Sequence, residues 1–146
     1  MKALTLWQPW ASLVAIGAKP YETRSWAPPD RLIGHRIAIH AAKRDIGYGG
    51  LRKIVDEQTA IAIESRLLSH GLLLKDLPRQ AIVCTAIIEL SARVNVWHEF
   101  ARRGPPDLFG DYSIGRWIWK LTHVQTFPPI ECKGRQGWFD APEVLG

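Results

Sequence analysis

The stretch LWQPWASLVAIGAKPYETRSW, residues 6–26, combines an apolar helical pattern with strand patterns on either side of it. The apolar residues that follow Pro9 recur at the i, i+3, i+4, i+7 spacing of one helical face. Proline suits the first turn of a helix, and Gly17 is placed to end it. The segment therefore predicts a short helix between strands at 2–6 and 21–26.

The rest of the chain predicts more strand than helix. Period-2 alternation and β-branched runs predict strands, and apolar residues at helical spacing predict helices. The strands fall at 35–43, 81–96, 116–127 and within 128–139, and the helices at 51–69 and 97–103. Long strands with few substantial helices do not suggest regular βαβ winding. We therefore expect an α+β fold around a curved, mostly closed sheet.

Length and composition favour one folded domain over residues 1–146, with no dividing linker. Cys84 lies inside the apolar run AIVCTAII, where a thiol acts as a small hydrophobe, and Cys132 is far from it in the chain. We expect both to be reduced. The sequence shows neither a signal peptide nor the roughly 20 apolar residues that cross a bilayer, so we expect a cytoplasmic protein with no membrane partner.

The charge balance makes polyanions plausible partners. Lysine and arginine number 19 against 14 aspartates and glutamates, a formal net charge of +5. A positive surface attracts phosphates and releases their counterions. The same excess would also serve solubility alone, so charge by itself does not decide between the two.

The motifs of the opening segment resemble those of ASCH domains, the group named for homology to activating signal cointegrator-1 and related to PUA domains. The matching pieces are QPWA (8–11), GAK (17–19), ETRSW (22–26), HRIAIHAAK (35–43), FGDYSIGRWIWKL (109–121) and PPIECKGRQGWFDAP (128–142). The resemblance implies a small bacterial or phage-type member whose PUA-like mixed β-barrel is flanked by α-helices. It also implies a cleft suited to RNA or DNA, and some small bacterial members hydrolyse RNA or modified nucleosides.

The charged residues of this segment form the first candidate site. Glu22 and Arg24 share one face of the predicted strand, and Lys19 lies at its entrance. A carboxylate that faces the interior needs a cation or several hydrogen-bond donors, because an unpaired buried charge is very costly. Such an arrangement would hold a positive fork ready for a phosphate or a base edge. The alternative is a surface ion pair worth under about 1 kcal/mol.

The tryptophans form the second candidate feature. Trp7 and Trp26 flank secondary-structure elements and are placed to form a stacking wall, and stacking contributes about 1–3 kcal/mol per base. Trp10 lies on the apolar helix face and is expected in the core. Trp117 and Trp119 share a strand face that most simply points into the barrel.

Further candidates lie around the same predicted mouth. Gln8, beside the first helix, is placed to read a base edge or to serve as a cap-region residue. The complete predicted nucleic-acid-binding set is Trp7, Gln8, Lys19, Arg24, Ser25, Trp26, Lys43, Arg44, Arg116, Lys133 and Arg135. Scattered solvated charges are the simpler explanation of the basic residues.

An enzymatic alternative remains open. An amidohydrolase of the family type would use a lysine and a hydroxyl three residues later, but after Lys19 that position holds Glu22. Thr23 points to the opposite strand face. If the protein is an enzyme, we expect Lys19 and Glu22 to be catalytic and the substrate to be RNA or a modified pyrimidine nucleoside.

Other functions are less well supported by the residues. A ribonuclease could use His35 or His40 with Lys43, but the spacing of the two histidines places them on opposite strand faces. No histidine or cysteine spacing fits a metal site, and no cofactor is required. A protein-interaction module, with exposed tryptophans as hot spots, is the remaining alternative. The sequence favours nucleic-acid binding, with RNA preferred to DNA.

Overall fold

The computed structural model describes residues 1–96 and 107–145. The predicted helix at 97–103 lies outside them. The strands are β1 (Lys2–Leu6), β2 (Tyr21–Arg24), β3 (Arg36–Ala41), β4 (Ala81–Arg93), β5 (Trp117–Glu131) and β6 (Phe139–Asp140). The helices are α1 (Trp10–Ala15), α2 (Gly47–Ile54) and α3 (Glu57–Leu68), with 3-10 turns at Asp30–Leu32, Leu74–Asp76 and Glu143–Leu145.

The strands form one mixed sheet in the order β2-β5-β4-β3-β1-β6. The β1–β3 pair is parallel, and the other neighbours are antiparallel. The predicted α+β class is confirmed. The sheet is not closed into a barrel, because no ladder joins its edge strands β2 and β6 within the described residues. Instead, the Arg24 side chain of β2 reaches across to donate to the Thr5 carbonyl of β1 at 3.0 Å.

Helix α1 ends as the sequence predicts. Gly17 has φ +79°, a conformation that side chains disfavour. The N–H of Ala18 donates to the Leu13 carbonyl at 3.0 Å, and that of Gly17 to the Val14 carbonyl at 3.0 Å. These two bonds form a Schellman motif, which satisfies carbonyls at the helix end and turns the chain toward β2.

The single helix predicted at 51–69 is two helices in the structure. Val55 and Asp56 are extended and separate α2 from α3. The Asp56 carboxylate accepts from the N–H of Thr59 at 2.7 Å and so caps α3. An aspartate in the middle of an apolar periodic run therefore starts a new helix rather than continuing the old one.

Strand β5 continues past the predicted end at 127 through Pro128 and Pro129. Proline removes a ladder donor, and sheets accept it at edges and bulges. The β4–β5 register shifts between Ile82, opposite Ile130, and Cys84, opposite Thr126. This bulge falls where the prolines lie, so the strand continues without a regular ladder there.

The two largest clusters of the core share α1. Val14 packs with strand residues such as Ile39 and Trp119, whereas Leu13 packs with Ile63 and other α3 residues. Helix α1 thus lies between the sheet and the α2–α3 pair, which explains how so short a helix is held. Both cysteines are free, Cys84 buried and Cys132 half-buried. No helix in the described ranges is long and apolar enough to cross a membrane.

We predict that Leu13→Ala lowers the free energy of unfolding by about 2–5 kcal/mol, because the truncation leaves a cavity between α1 and α3. Urea unfolding followed by far-UV circular dichroism measures the change. The control is Leu68→Ala on the exposed side of α3, which should change the free energy by less than about 0.5 kcal/mol. Equal losses in the two variants would contradict this description of the core.

Candidate nucleic-acid interface

Two clefts meet at Thr5, Trp7 and Arg24. The first, the basic cleft, has a volume of about 770 Å³ and is lined by Leu4, Thr5, Trp7, Arg24, Trp26, His40, Ala42, Lys43, Gln80 and residues 133–137. The second, the mixed cleft, has a volume of about 710 Å³. It is lined by Thr5, Leu6, Trp7, Trp10, Lys19, Glu22, Thr23, Arg24, residues 54–56, Thr59, residues 108–111 and Arg116. Both volumes are typical of ligand sites.

The predicted group of Lys19, Glu22 and Arg24 is assembled in the structure. The Lys19 ammonium lies 3.2 Å from Glu22 Oε1, and Arg24 Nη2 lies 3.7 Å from Glu22 Oε2. Lys19 is 2% exposed and Glu22 is 7% exposed, so the pair is buried rather than a surface ion pair. The Glu22 carboxylate also accepts from the N–H of Thr23 at 2.7 Å. These donors compensate its burial.

Lys19 and Arg116 bond to the backbone of β2, which is an edge strand of the sheet. The ammonium of Lys19 donates to the Tyr21 carbonyl at 2.5 Å, and Arg116 Nη2 donates to the Thr23 carbonyl at 3.0 Å. An exposed strand edge otherwise presents free backbone groups. Lys19 and Arg116 therefore have structural tasks that a ligand would have to interrupt.

The two tryptophans predicted to form a stacking wall both line the basic cleft. Trp7 is 45% exposed and Trp26 is 37% exposed. The Arg44 guanidinium lies 4.6 Å from the centroid of the Trp7 ring, and that of Arg24 lies 5.7 Å from the centroid of the Trp26 ring. Each indole thus has an arginine beside one face.

The ring of Trp26 is held by other tryptophans. Its centroid lies 5.1 Å from that of Trp119 and 6.4 Å from that of Trp138, both in edge-to-face geometry. The Trp119 indole N–H donates to the Trp26 carbonyl at 3.2 Å. As predicted, Trp119 is buried in the core. Trp26 is therefore a fixed platform, whereas Trp7 projects further into solvent.

The charges of the two clefts differ. Four cationic side chains line the basic cleft, namely Arg24, Lys43, Lys133 and Arg135, and its described lining includes no carboxylate. The mixed cleft has three cationic and three carboxylate side chains along its described lining, namely Lys19, Arg24, Arg116, Glu22, Asp56 and Asp111. Hydrogen bonds from Ser113 hold the pKa of Asp111 below its usual range, so this carboxylate keeps its charge. Of these two clefts, as far as the structure describes their linings, the basic cleft carries the excess positive charge that attracts a polyanion.

Other predicted residues lie outside the basic cleft. Gln8 is buried, and its amide donates to Ser12 Oγ at 2.8 Å and to the Pro78 carbonyl at 2.7 Å. Its Oε1 accepts from the N–H of Ser12 at 3.0 Å, so Gln8 is a cap-region residue in this structure. Ser25 is exposed beside the cleft. Arg116 lines the mixed cleft, 3.4 Å from Asp111.

The basic cleft also contains residues outside the predicted binding set, chiefly Thr5, His40 and Gly134. His40 is only 2% exposed, and burial lowers its pKa. Thr5 is directly opposite His40 in the parallel β1–β3 register. His35, the other histidine considered, is exposed. The parallel β1–β3 pair brings Thr5 beside His40, and the β5–β6 loop adds Gly134. Contacts between segments so far apart in the chain leave no local signal in a sequence.

We predict that Lys19→Met lowers the free energy of unfolding by about 3–5 kcal/mol, because it leaves the buried Glu22 carboxylate without its nearest cation. Lys19→Met combined with Glu22→Gln should recover part of that loss, since the charge itself is then removed. Urea unfolding measures both. Lys43→Met, at an exposed cation, is the matched control and should change stability by less than about 0.5 kcal/mol. A Lys19→Met variant as stable as the control would show that Glu22 is hydrated rather than dependent on Lys19.

Comparisons with known proteins agree with the fold. A comparison with curated protein sequences found no match. Among solved structures, an ASCH protein from Zymomonas mobilis aligns with a TM-score of 0.56 and 15% identity, covering 98% of this chain and 88% of that one. A single-substitution variant of that protein aligns with a TM-score of 0.54 and 16% identity, covering 97% and 88%. Identity this low supports the fold alone. The family model described as the ASCH domain matches residues 4–108, and the chain therefore belongs to the ASCH domain family, whose fold is PUA-like.

Proposed function

We propose that the protein binds single-stranded nucleic acid in the basic cleft, with RNA preferred to DNA. The observation that carries this proposal is the coincidence of two exposed indoles with four cations in a cleft whose described lining holds no carboxylate. A nucleotide presents a flat apolar base and an anionic phosphate, and this cleft offers a partner for each. The association of the ASCH family with RNA binding supports the preference for RNA.

The indoles and the cations of the basic cleft would have different roles in binding. Trp7 and Trp26 would stack on bases, and their sequence tolerance is high because every base has a π-face. Lys43, Lys133 and Arg135 would neutralise phosphates. Arg24 donates to the Thr5 carbonyl and lies near Glu22, so its guanidinium is a fixed part of the wall rather than a free arm.

The structure changes the role that we assign to Lys19. Its ammonium is buried against Glu22 and donates to the Tyr21 carbonyl, so it has little freedom to meet a phosphate. The same contacts occupy both of the residues predicted to be catalytic in an enzyme. The binding proposal therefore rests on the basic cleft, and Lys19 serves it by fixing β2.

We predict a strong salt dependence of RNA binding. The affinity for a labelled oligouridylate of about 12 nucleotides should fall with salt, with a log–log slope of roughly −0.7 per phosphate contact. Lys133→Ala and Arg135→Ala should each reduce the magnitude of that slope by about 0.7. Trp7→Ala should weaken binding by about 1–3 kcal/mol and leave the slope unchanged, because stacking releases no counterions. Fluorescence anisotropy at several salt concentrations measures all three.

The matched control is Lys75→Ala, which removes an exposed lysine that lines neither cleft. Its slope should equal that of the wild type. Unchanged slopes in both cleft variants, or an equal loss in the control, would contradict the proposed site. The same reactions run with oligodeoxyuridylate test the preference for RNA, and denaturing gels score cleavage. Cleavage that persists in Lys133→Ala but is lost in a Lys19→Ala variant that far-UV circular dichroism shows to be folded would assign a hydrolase in the mixed cleft instead.

A further inference from the structure

The loop between β5 and β6 carries two of the four cations of the basic cleft. This segment, residues 132–137, is called here the basic loop and includes Lys133 and Arg135. It leaves the sheet after Glu131 and rejoins it at Phe139, which pairs with Ala3 of β1. The position of the loop therefore decides where half of the positive charge of the cleft is placed.

The imidazole of His40 holds this loop at its start. His40 Nε2 lies 2.8 Å from the Cys132 carbonyl oxygen, which only accepts hydrogen bonds, so Nε2 carries the proton. In the neutral ring, Nδ1 is then an acceptor, and the Thr5 hydroxyl donates to it at 3.1 Å. The same Thr5 oxygen lies 3.5 Å from the Arg135 carbonyl oxygen. His40 and Thr5 therefore contact the loop backbone at two points, Cys132 and Arg135, which flank Lys133 and Gly134.

Close packing between these two contact points, at Gly134, supports the same arrangement. A Cβ atom at Gly134 would lie 2.4 Å from Cε1 and 2.7 Å from Nδ1 of His40. The loop therefore passes the ring at a distance that only glycine allows. The Phe139 ring closes the other side, with its centroid 5.5 Å from that of His40 at an interplanar angle of 87°.

We propose that His40 is a positioning residue for nucleic-acid binding: it fixes the basic loop so that Lys133 and Arg135 line the same cleft as Trp7 and Lys43. The proposal rests on the proposed function, because it assigns the loop to phosphate binding. It adds a residue whose side chain is buried below the surface and acts through the loop that it holds.

The charges around His40 predict a second property. The charged groups that line the cleft with it are cations, namely Arg24 from β2, Lys43 after β3 and Lys133 and Arg135 from the loop. In the β3–β4 pair, Ile82 lies opposite His40. Among the charged residues near these segments, Arg79 pairs with Asp45, and Asp140 pairs with Lys2 and also interacts with Arg135 of the loop. Burial lowers the pKa of His40, so the ring is neutral near neutral pH in the free protein. A phosphate in the cleft would be the nearby anion that favours the protonated ring.

Protonation of the His40 ring keeps its hydrogen bond to the loop. Nε2 continues to donate to the Cys132 carbonyl, while Nδ1 becomes a donor and the Thr5 hydroxyl accepts from it. The Thr5 hydrogen is then free to turn toward the Arg135 carbonyl. Bound phosphate should therefore raise the pKa of His40, and by linkage the affinity for a polyanion should rise as the pH falls.

The first experiment measures the loop and the ligand separately. We predict that His40→Ala speeds amide hydrogen exchange of residues 132–137 in the free protein, and that it reduces both the oligouridylate affinity and the salt slope toward those of Lys133→Ala. His40→Gln keeps a donor near the Nε2 position and should retain most of both. Gly134→Ala leaves His40 intact but pushes the loop from the ring, and should give the same losses as His40→Ala.

The control for these variants is His35→Ala, at an exposed histidine before β3, which should behave as the wild type. Wild-type exchange and slope in both folded variants, His40→Ala and Gly134→Ala, would overturn the proposal. If the wild type bound no oligouridylate, the proposed function would fail, and the exchange data would still report whether His40 holds the loop. If the loop exchanged faster in His40→Ala and Gly134→Ala while the oligouridylate affinity and the salt slope stayed at wild-type values, the inference would be refuted and the proposed function would stand.

The second experiment is a pH profile, which a purely structural role would not change. Uracil does not titrate between about pH 5 and 8, so a change in oligouridylate affinity there reports on the protein, and histidine is the side chain whose ordinary pKa lies in that range. We predict a several-fold gain in wild-type affinity from pH 8 to pH 5.5 and a much smaller gain in His40→Gln. His35→Gln should keep the wild-type profile. Equal profiles for the wild type and His40→Gln would overturn the placement of His40 beside the bound phosphate.

Discussion

The candidate site depends on the hydrogen bond that the Arg24 guanidinium donates to the Thr5 carbonyl. The sheet is not closed by backbone ladders within the described residues, and Arg24 bridges from edge strand β2 to the Thr5 carbonyl of β1. From that position it lies near the Glu22 carboxylate and beside the Trp26 ring, and it lines both clefts. One side chain therefore joins the fold to the surface proposed to bind nucleic acid. A planar guanidinium with several donors suits such a junction better than an ammonium would.

Burial separates structural charge from functional charge in this protein. Lys19 and Glu22 neutralise each other out of contact with water, where an unpaired partner would be strongly destabilising. Lys43, Lys133 and Arg135 are exposed, and the part of the cleft lining that the structure describes offers them no carboxylate. The first group stabilises the edge strand, and the second leaves a positive potential in solvent. Residue type alone does not distinguish the buried group from the exposed group, because each contains lysine.

Some local sequence patterns predicted the structure correctly, and others did not. The alternation of YETRSW placed Glu22 beside Arg24 on one strand face, and the spacing after Pro9 placed Gly17 at the end of α1; both are confirmed. The helix predicted at 51–69 was wrong as a single element, because the Asp56 side chain caps a new helix. Gln8 was weighed as a base reader or as a cap-region residue, and its amide bonds to Ser12 and Pro78 place it as the latter.

Local sequence patterns predicted the α+β class, strands β1 to β5 and the concentration of indoles and cations near the first helix, because these features depend on periodicity and residue chemistry within short segments. The folded structure was needed to show which cations are buried, that no ladder closes the described part of the sheet, and that His40, Thr5 and Gly134 meet beneath the basic loop. The reason is physical: a parallel β1–β3 pair and a loop more than 90 residues downstream bring these groups together. Contacts between such distant segments depend on the packing of the whole sheet, and no local pattern in the chain encodes them.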